Sequence, residues 1–170
     1  DTTSKLSFLD TGLTAWKKYY YAIRCIDTVG VPSGYSVIKT GVPNNIWWVD
    51  KNGNDNNSGT ISLPLKSIGK AISKAISLTD TIYVNKGRYY ENISFAGKAI
   101  LISSNYKRLN DTSLITSTLI DGGNIGNTVT INSGETLKSR LEGFSITNGY
   151  SGLYISSGKL STSDLRFFKN

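Results

Sequence analysis

The sequence predicts an all-β chain in two segments, the second a coiled stack of short strands opened by a single helix. Three observations carry this. Apolar residues come in short runs separated by Gly, Asn, Ser and Thr, the pattern of many brief strands joined by turns. Val129-Thr130-Ile131-Asn132-Ser133-Gly134 aligns with Leu153-Tyr154-Ile155-Ser156-Ser157-Gly158, 24 residues on, and self-similarity at that period marks a solenoid. One convincing helical stripe exists, Ile68, Ala71, Ile72, Ala75 and Ile76, with Lys66, Lys70 and Lys74 on the opposite side.

Composition narrows the function classes. Histidine is absent and Cys25 is the single cysteine, which removes Ser-His-Asp and Cys-His catalysis, histidine-containing zinc sites and any intrachain disulfide. No phosphate-loop or dinucleotide glycine pattern occurs. The net charge is +7, but its lysines and arginines are scattered from Lys5 to Lys169. Binding of nucleic acid draws on clustered cations, so no nucleic-acid partner is expected, and a diffuse basic surface suits an acidic polysaccharide better. No apolar run approaches the roughly 20 residues a membrane helix needs, so no membrane insertion is expected. Methionine is absent. Residue 1 is therefore read as lying inside a longer polypeptide.

The first segment, 1–43, opens on its clearest strand, Tyr19 to Ile26. Alternation puts Tyr19, Tyr21, Ile23 and Cys25 on one face and Tyr20 and Arg24 on the other. Asp27-Thr28-Val29-Gly30 supplies the turn, and Tyr35 to Thr40 a second strand. Gly12-Leu13 with Tyr19 six residues after the leucine, then Ile23, Cys25, Asp27 and Gly30, resembles the end of a fibronectin type III domain, although Trp16 stands where a small turn residue is common. The resemblance covers residues 5–41. It implies that the Tyr19 hydroxyl folds back onto the backbone and that Cys25 is a buried, unreactive core residue. About three of the seven strands of such a sandwich are represented, so the missing ones are expected before residue 1.

The second segment, 44–170, starts with Ile46-Trp47-Trp48-Val49 and a polar loop from Asp50 to Gly59. Ser67 is the expected N-cap of a helix over Ser67 to Ser77. Strands follow at Ile82 to Val84, Ile93 to Phe95, Ala99 to Ile102, Thr118 to Ile120 and Thr128 to Ile131. Three more are read at Leu141 to Ile146, Gly152 to Ile155 and Leu165 to Phe168. Asn148 and Asn170, 22 residues apart, close successive units and, with Asp121, read as a ladder of turn side chains.

Several motifs in order are similar to the opening of right-handed parallel β-helix proteins of the pectate-lyase-like superfamily. They are Trp48-Val49-Asp50 with Gly53 and Asp55-Asn56, Pro64-Leu65-Lys66-Ser67-Ile68 with Lys70-Ala71-Ile72, and Asp80-Thr81-Ile82-Tyr83-Val84. Further on come Gly87-Arg88-Tyr89-Tyr90-Glu91-Asn92-Ile93, Ile120-Asp121-Gly122-Gly123 and Gly143-Phe144-Ser145-Ile146-Thr147-Asn148-Gly149. The resemblance covers residues 46–170 and implies that the helix is a lid on the first coil, whose backbone and apolar side chains need a cover. It also implies a secreted modular protein, bacterial and extracellular or at the cell surface, that binds or processes polysaccharide. The alternative is a surface adhesin or structural stalk. More coils are expected beyond Asn170, because stacked repeats cannot bury their cores alone.

Catalysis on this fold implies paired carboxylates, or calcium with a basic residue, on adjacent coils about 4.8 Å apart. Glycoside hydrolysis needs carboxyls roughly 5–10 Å apart. The C-terminal repeats offer Asp121, Glu135, Glu142 and Asp164, and no two align at the repeat. A polysaccharide lyase or glycoside hydrolase would thus keep its catalytic residues outside this chain. Asp50, Asn52 and Asp55 place oxygens around Gly53 as calcium loops do, though Ile61 stands where such a loop carries a bidentate glutamate. The simpler, preferred reading makes them turn formers bonding their own backbone. Trp47, Trp48, Tyr89 and Tyr90 are candidate sugar-stacking residues, with one of each adjacent pair pointing inward.

Overall fold

A computed structural model describes residues 10, 13, 17–41, 45–76 and 80–170. The chain divides into two compact units, Asp1–Asn44 and Asn45–Asn170.

In the first unit, β1 (Tyr19–Tyr21) pairs antiparallel with β2 (Lys39–Gly41), Tyr19 opposite Gly41 and Tyr21 opposite Lys39. Beyond Tyr21 the ribbon continues by a different device. The amides of Ile23 and Cys25 donate to the hydroxyls of Ser36 and Ser33, both at 2.9 Å. The amides of those serines return bonds to the Ile23 and Cys25 carbonyls at 2.7 and 2.8 Å. Side-chain oxygens thus stand in for backbone carbonyls, and the strand read over Tyr19 to Ile26 shortens to three residues. Among the described residues of this unit two strands form no second layer, so little is covered. Ile23 is 74% exposed. Cys25, expected in a core, is a free and exposed thiol. Tyr19 is half-buried, with the Lys17 ammonium 5.6 Å from its ring centre. Gly12 and Trp16, on which the corner motif also rests, lie outside the described residues.

The second unit is a succession of short parallel strands. Its opening strand is β3 (Ile46–Val49), followed by α1 (Ile68–Lys74). A first coil runs β4 (Thr81–Val84), β5 (Gly87–Tyr90) and β6 (Ile93–Ser94). In the next, β7 (Leu101–Ser104) is separated by α2 (Tyr106–Leu109) and α3 (Ser113–Ser117) from β8 (Thr118–Asp121) and β9 (Val129–Ile131). The chain then forms β10 (Arg140–Glu142), β11 (Ser145–Thr147) and β12 (Leu153–Ile155), and last β13 (Ser161–Ser163) and β14 (Arg166–Phe168).

Strands of successive coils stack into three sheets, ordered β3-β4-β7-β10-β13, β5-β8-β11-β14 and β6-β9-β12. Each neighbouring pair is parallel, and the whole succession fits a parallel β-helix. Val129 pairs with Leu153 and Ile131 with Ile155, the register that the 24-residue repeat requires. Inward positions align in columns: Ile82, Ile102 and Leu141 from the first sheet, Tyr89, Ile120 and Ile146 from the second. All six are buried. Such columns carry most of the hydrophobic stabilisation, about 25 cal/mol per Å² of apolar surface removed from water.

The helix is shorter than its period suggests. Ser67 Oγ accepts the Lys70 amide at 3.2 Å as the N-cap, and Ile68, Ala71 and Ile72 are buried against β3, β4 and β6. Ala75 is already extended, ending the helix at Lys74, so Ile76 leaves the stripe and is 53% exposed. Three features escaped the periodicity reading: β5, β13 and the insertion that carries α2 and α3. The run Leu141 to Ile146 is two strands, broken at Gly143, whose φ of 76° only glycine adopts readily.

Candidate functional site

Along the outer face of the first sheet, Trp48, Tyr83, Ser103, Glu142 and Ser163 lie in register on five successive strands. They face outward because alternation sends Ile82, Ile102 and Leu141 into the core. At one end Trp48 and Tyr83 form a tilted aromatic pair, ring centres 5.2 Å apart. Over this face folds α2, which brings three functional side chains that no strand pattern announced.

Arg108 lies with its guanidinium 4.8 Å from the Trp48 ring centre and 6.0 Å from that of Tyr83, cation–π distances for both. Its Nε donates to Asn105 Oδ1 at 3.1 Å. Lys107 Nζ donates to Glu142 Oε2 at 3.0 Å and approaches Ser163 Oγ at 3.4 Å. Arg140 pairs with the other Glu142 oxygen, so this buried carboxylate is held by two cations. The Tyr106 hydroxyl donates to Asp164 and lies 3.4 Å from Ser163 Oγ. The bond with Tyr106 and the Glu142 carboxylate push the Lys107 amine above the usual lysine range. The result is a strip that is aromatic at one end and a charged, hydrogen-bonding cluster at the other.

The carboxylates considered from sequence fall in three places. Glu142 and Asp164 do meet, through Tyr106, Lys107 and Ser163. They are off by one in register, since Glu142 pairs with Ser163, and Tyr106 and Lys107 of α2 bridge the offset. Asp121 sits on the second sheet, where it accepts Arg88 Nε at 2.7 Å, the Gly123 amide at 2.9 Å and the Asn148 amide at 3.0 Å. Burial pushes its carboxyl up, but those three donors outweigh it and hold it below the usual range. Glu135 accepts the Gly97 and Ser133 amides, both at 2.9 Å, beside a shallow groove lined by Leu137, Lys138 and Lys159.

In the loop after β3, Asp50 Oδ1 accepts the Asn52 amide at 2.8 Å and Oδ2 accepts Asn85 Nδ2 at 2.9 Å. Asp55 turns toward the start of α1, where Oδ1 accepts the Lys66 and Ser67 amides and Oδ2 the Ser67 hydroxyl, all at 2.9 Å. Burial raises the Asp55 carboxyl, and these bonds with nearby Lys70 bring it below the usual range. The two carboxylates therefore serve different chain partners, and a cation shared between them would have to displace those donors. Among the described residues no three His, Cys, Asp or Glu side chains gather into a metal-binding group.

Of the four aromatic candidates, Tyr89 is buried with its hydroxyl donating to the Asn85 carbonyl, and Tyr90 is exposed beneath Arg88. Trp47 packs on the core while its indole N–H donates to Asp80 at 3.2 Å. Trp48 is the outward member of its pair. Of the expected ladder, Asn148 bonds Asp121, but Asn170 is displaced by one residue: it accepts the Gly149 amide and donates to the Ile146 carbonyl, while Lys169 bonds Asn148. Among the described residues no helix is long and apolar enough to cross a membrane.

A family model described as a protein of unknown function (DUF1565) matches residues 51–96, from the loop after β3 through β6. That family is associated with β-helix proteins, in agreement with the parallel sheets. No curated protein and no solved structure matches the chain.

Proposed function

We propose that this chain is the opening part of a right-handed parallel β-helix of pectate-lyase-like type, within an extracellular modular protein that binds or processes polysaccharide. In this reading residues 1–43 are the end of a fibronectin type III spacer, which the antiparallel pairing of β1 with β2 supports. The observation that carries the functional part is the Trp48–Tyr83 pair on the outer face, continuous with Arg108, Lys107, Glu142 and Asp164. Sugar rings present C–H faces to aromatic side chains and hydroxyls to charged ones, and this strip offers both within one column of strands. The sugar assignment rests on family analogy joined to that chemistry, since a fold alone does not specify a function.

The test is titration of the protein with pectin, alginate and neutral glucan oligosaccharides, followed by tryptophan fluorescence and by ultraviolet absorbance for unsaturated products. Saturable binding that weakens about tenfold in Trp48→Ala supports the reading. Equal or no binding by both proteins to every glycan overturns it. The uninterrupted register of five strands in the first sheet also suits a surface adhesin or rigid stalk. Glycan binding without turnover favours a binding module or the adhesin over an enzyme, and no glycan binding favours the stalk.

A further inference from the structure

We infer that Asp50 is a positioning residue for Arg108, acting through a directed ladder of two asparagine amides. The inference rests on the reading that the outer face of the first sheet receives a glycan.

Asp50, Asn85 and Asn105 each follow the last residue of a first-sheet strand, and those last residues, Val49, Val84 and Ser104, are in register. The three side chains therefore occupy one corner of three stacked coils. Their hydrogen bonds run in a single direction. Asn85 Nδ2 donates down to Asp50 Oδ2 at 2.9 Å, Asn105 Nδ2 donates down to Asn85 Oδ1, and Arg108 Nε donates to Asn105 Oδ1 at 3.1 Å.

An amide can turn either way, since it carries a donor and an acceptor of similar shape. Here the ends remove the choice. A carboxylate only accepts and a guanidinium only donates. Asp50 compels Asn85 to present its NH₂ downward and its oxygen upward, and Asn105 must follow. Asn105 is buried, so an amide turned the wrong way would strand a polar group without water. The terminal oxygen is thereby aimed at Arg108, whose flexible side chain would otherwise spread over many rotamers. Held by Nε, the guanidinium lies over Trp48 and Tyr83. Its two Nη groups have no partner among the described residues and remain for an oxygen of the ligand.

The experiment follows the side-chain Nε–H resonances of the five arginines by NMR, with Arg108 assigned through its loss in Arg108→Lys. Asp50→Asn is the decisive variant, because it still offers an oxygen to the Asn52 amide and removes only the acceptor-only character of the foot. The wild-type Arg108 signal is expected to be shifted by the aromatic rings and slow to exchange. In Asp50→Asn and in Asn105→Ala it should move to the position of the exposed arginines, while the amides of Val129 and Ile146 stay protected. Glycan affinity should fall roughly tenfold in each variant, with no further loss when either is combined with Arg108→Lys. A wild-type Arg108 signal in Asp50→Asn, with those amides still protected, overturns the inference, as does additivity in the combined variants. Should Asp50→Asn not fold, Asn85→Ala, which cuts the ladder between Asp50 and Asn105 and leaves the Asn105 oxygen in place, carries the same decision. Should no glycan bind the wild type, the proposed function falls, and the Arg108 resonance still decides the positioning role.

Discussion

Lys98 Nζ donates to the Ala75 carbonyl at 2.7 Å, joining the turn after β6 to the end of α1. The same ammonium reaches the Ile72 and Ser73 carbonyls at 2.6 and 3.2 Å. At the other end of the helix, Glu91 accepts the Ile68 and Gly69 amides at 2.9 and 2.8 Å. A cation at the C-terminus and an anion at the N-terminus both match the helix dipole. The first coil thus braces its helix by side-chain hydrogen bonds at both ends as well as by the apolar stripe between.

Lys98→Met keeps the aliphatic stem and removes all three bonds. Hydrogen bonds to charged groups contribute about 1.5–3 kcal/mol, so a loss of about 2 kcal/mol is expected in urea denaturation. Hydrogen exchange should rise first at the Ala71 and Ala75 amides. Unchanged exchange there would show that the apolar stripe alone secures the helix.

Acid should destabilise the protein mainly through Asp55, Asp121 and Glu135, whose carboxyls are all held below their usual range by hydrogen bonds that outweigh burial. Groups with depressed folded values contribute stability above their unfolded pKa of about 4, and this is lost as pH falls through the folded values. Asp121→Asn is therefore expected to flatten the loss of stability below about pH 4. Glu91 has the opposite sign, because burial outweighs its two amide donors and raises its carboxyl. Its protonation favours the folded state, a contribution complete below about pH 4 and lost as pH rises through the folded value. Glu91→Gln should flatten that part of the curve above pH 4, read from denaturation midpoints across the range.

Gly143→Ala tests the link between fold and outer face. A Cβ there would press into the Tyr106 ring and the Ser104 hydroxyl, and φ is 76°. A non-glycine residue in that region costs about 1–2 kcal/mol before any clash. Melting temperature should fall, and the tryptophan spectrum should shift as α2 lifts Arg108 from Trp48. A lower melting temperature with an unaltered spectrum would place the strain elsewhere.

Cys25 should react with a maleimide or disulfide reagent in the absence of denaturant, because the two-stranded ribbon leaves its thiol exposed. Labelling that requires denaturant would restore the buried sandwich position first expected for it.

The parts of the fold visible in sequence were those encoded by neighbours. The α1 stripe, the rule that one of each adjacent aromatic pair turns inward, and the Val129–Leu153 register follow from short-range periods. Other coils hide their repeat because insertions change its length: Ile82 pairs with Ile102, twenty residues on, whereas Ile102 pairs with Leu141, thirty-nine on. The extra length is mostly the α2–α3 insertion, which lacks a stripe long enough to read. For the outer face, Trp48 and the carboxylates could be nominated, but Arg108, Lys107 and Tyr106 could not.

Residue order alone thus determined that the second segment is made of short strands that repeat, that one helix precedes them, and that these residues hold no histidine and no pair of cysteines for an intrachain disulfide. Only the tertiary structure decided which side chains meet across coils: Asp50 with Asn85, Glu142 with Lys107, Asp164 with Tyr106. The reason is that side-chain alternation is a local property of each strand, whereas the neighbours above and below are set by the length of every turn between them. One inserted helix moves all later partners without altering any strand's own pattern.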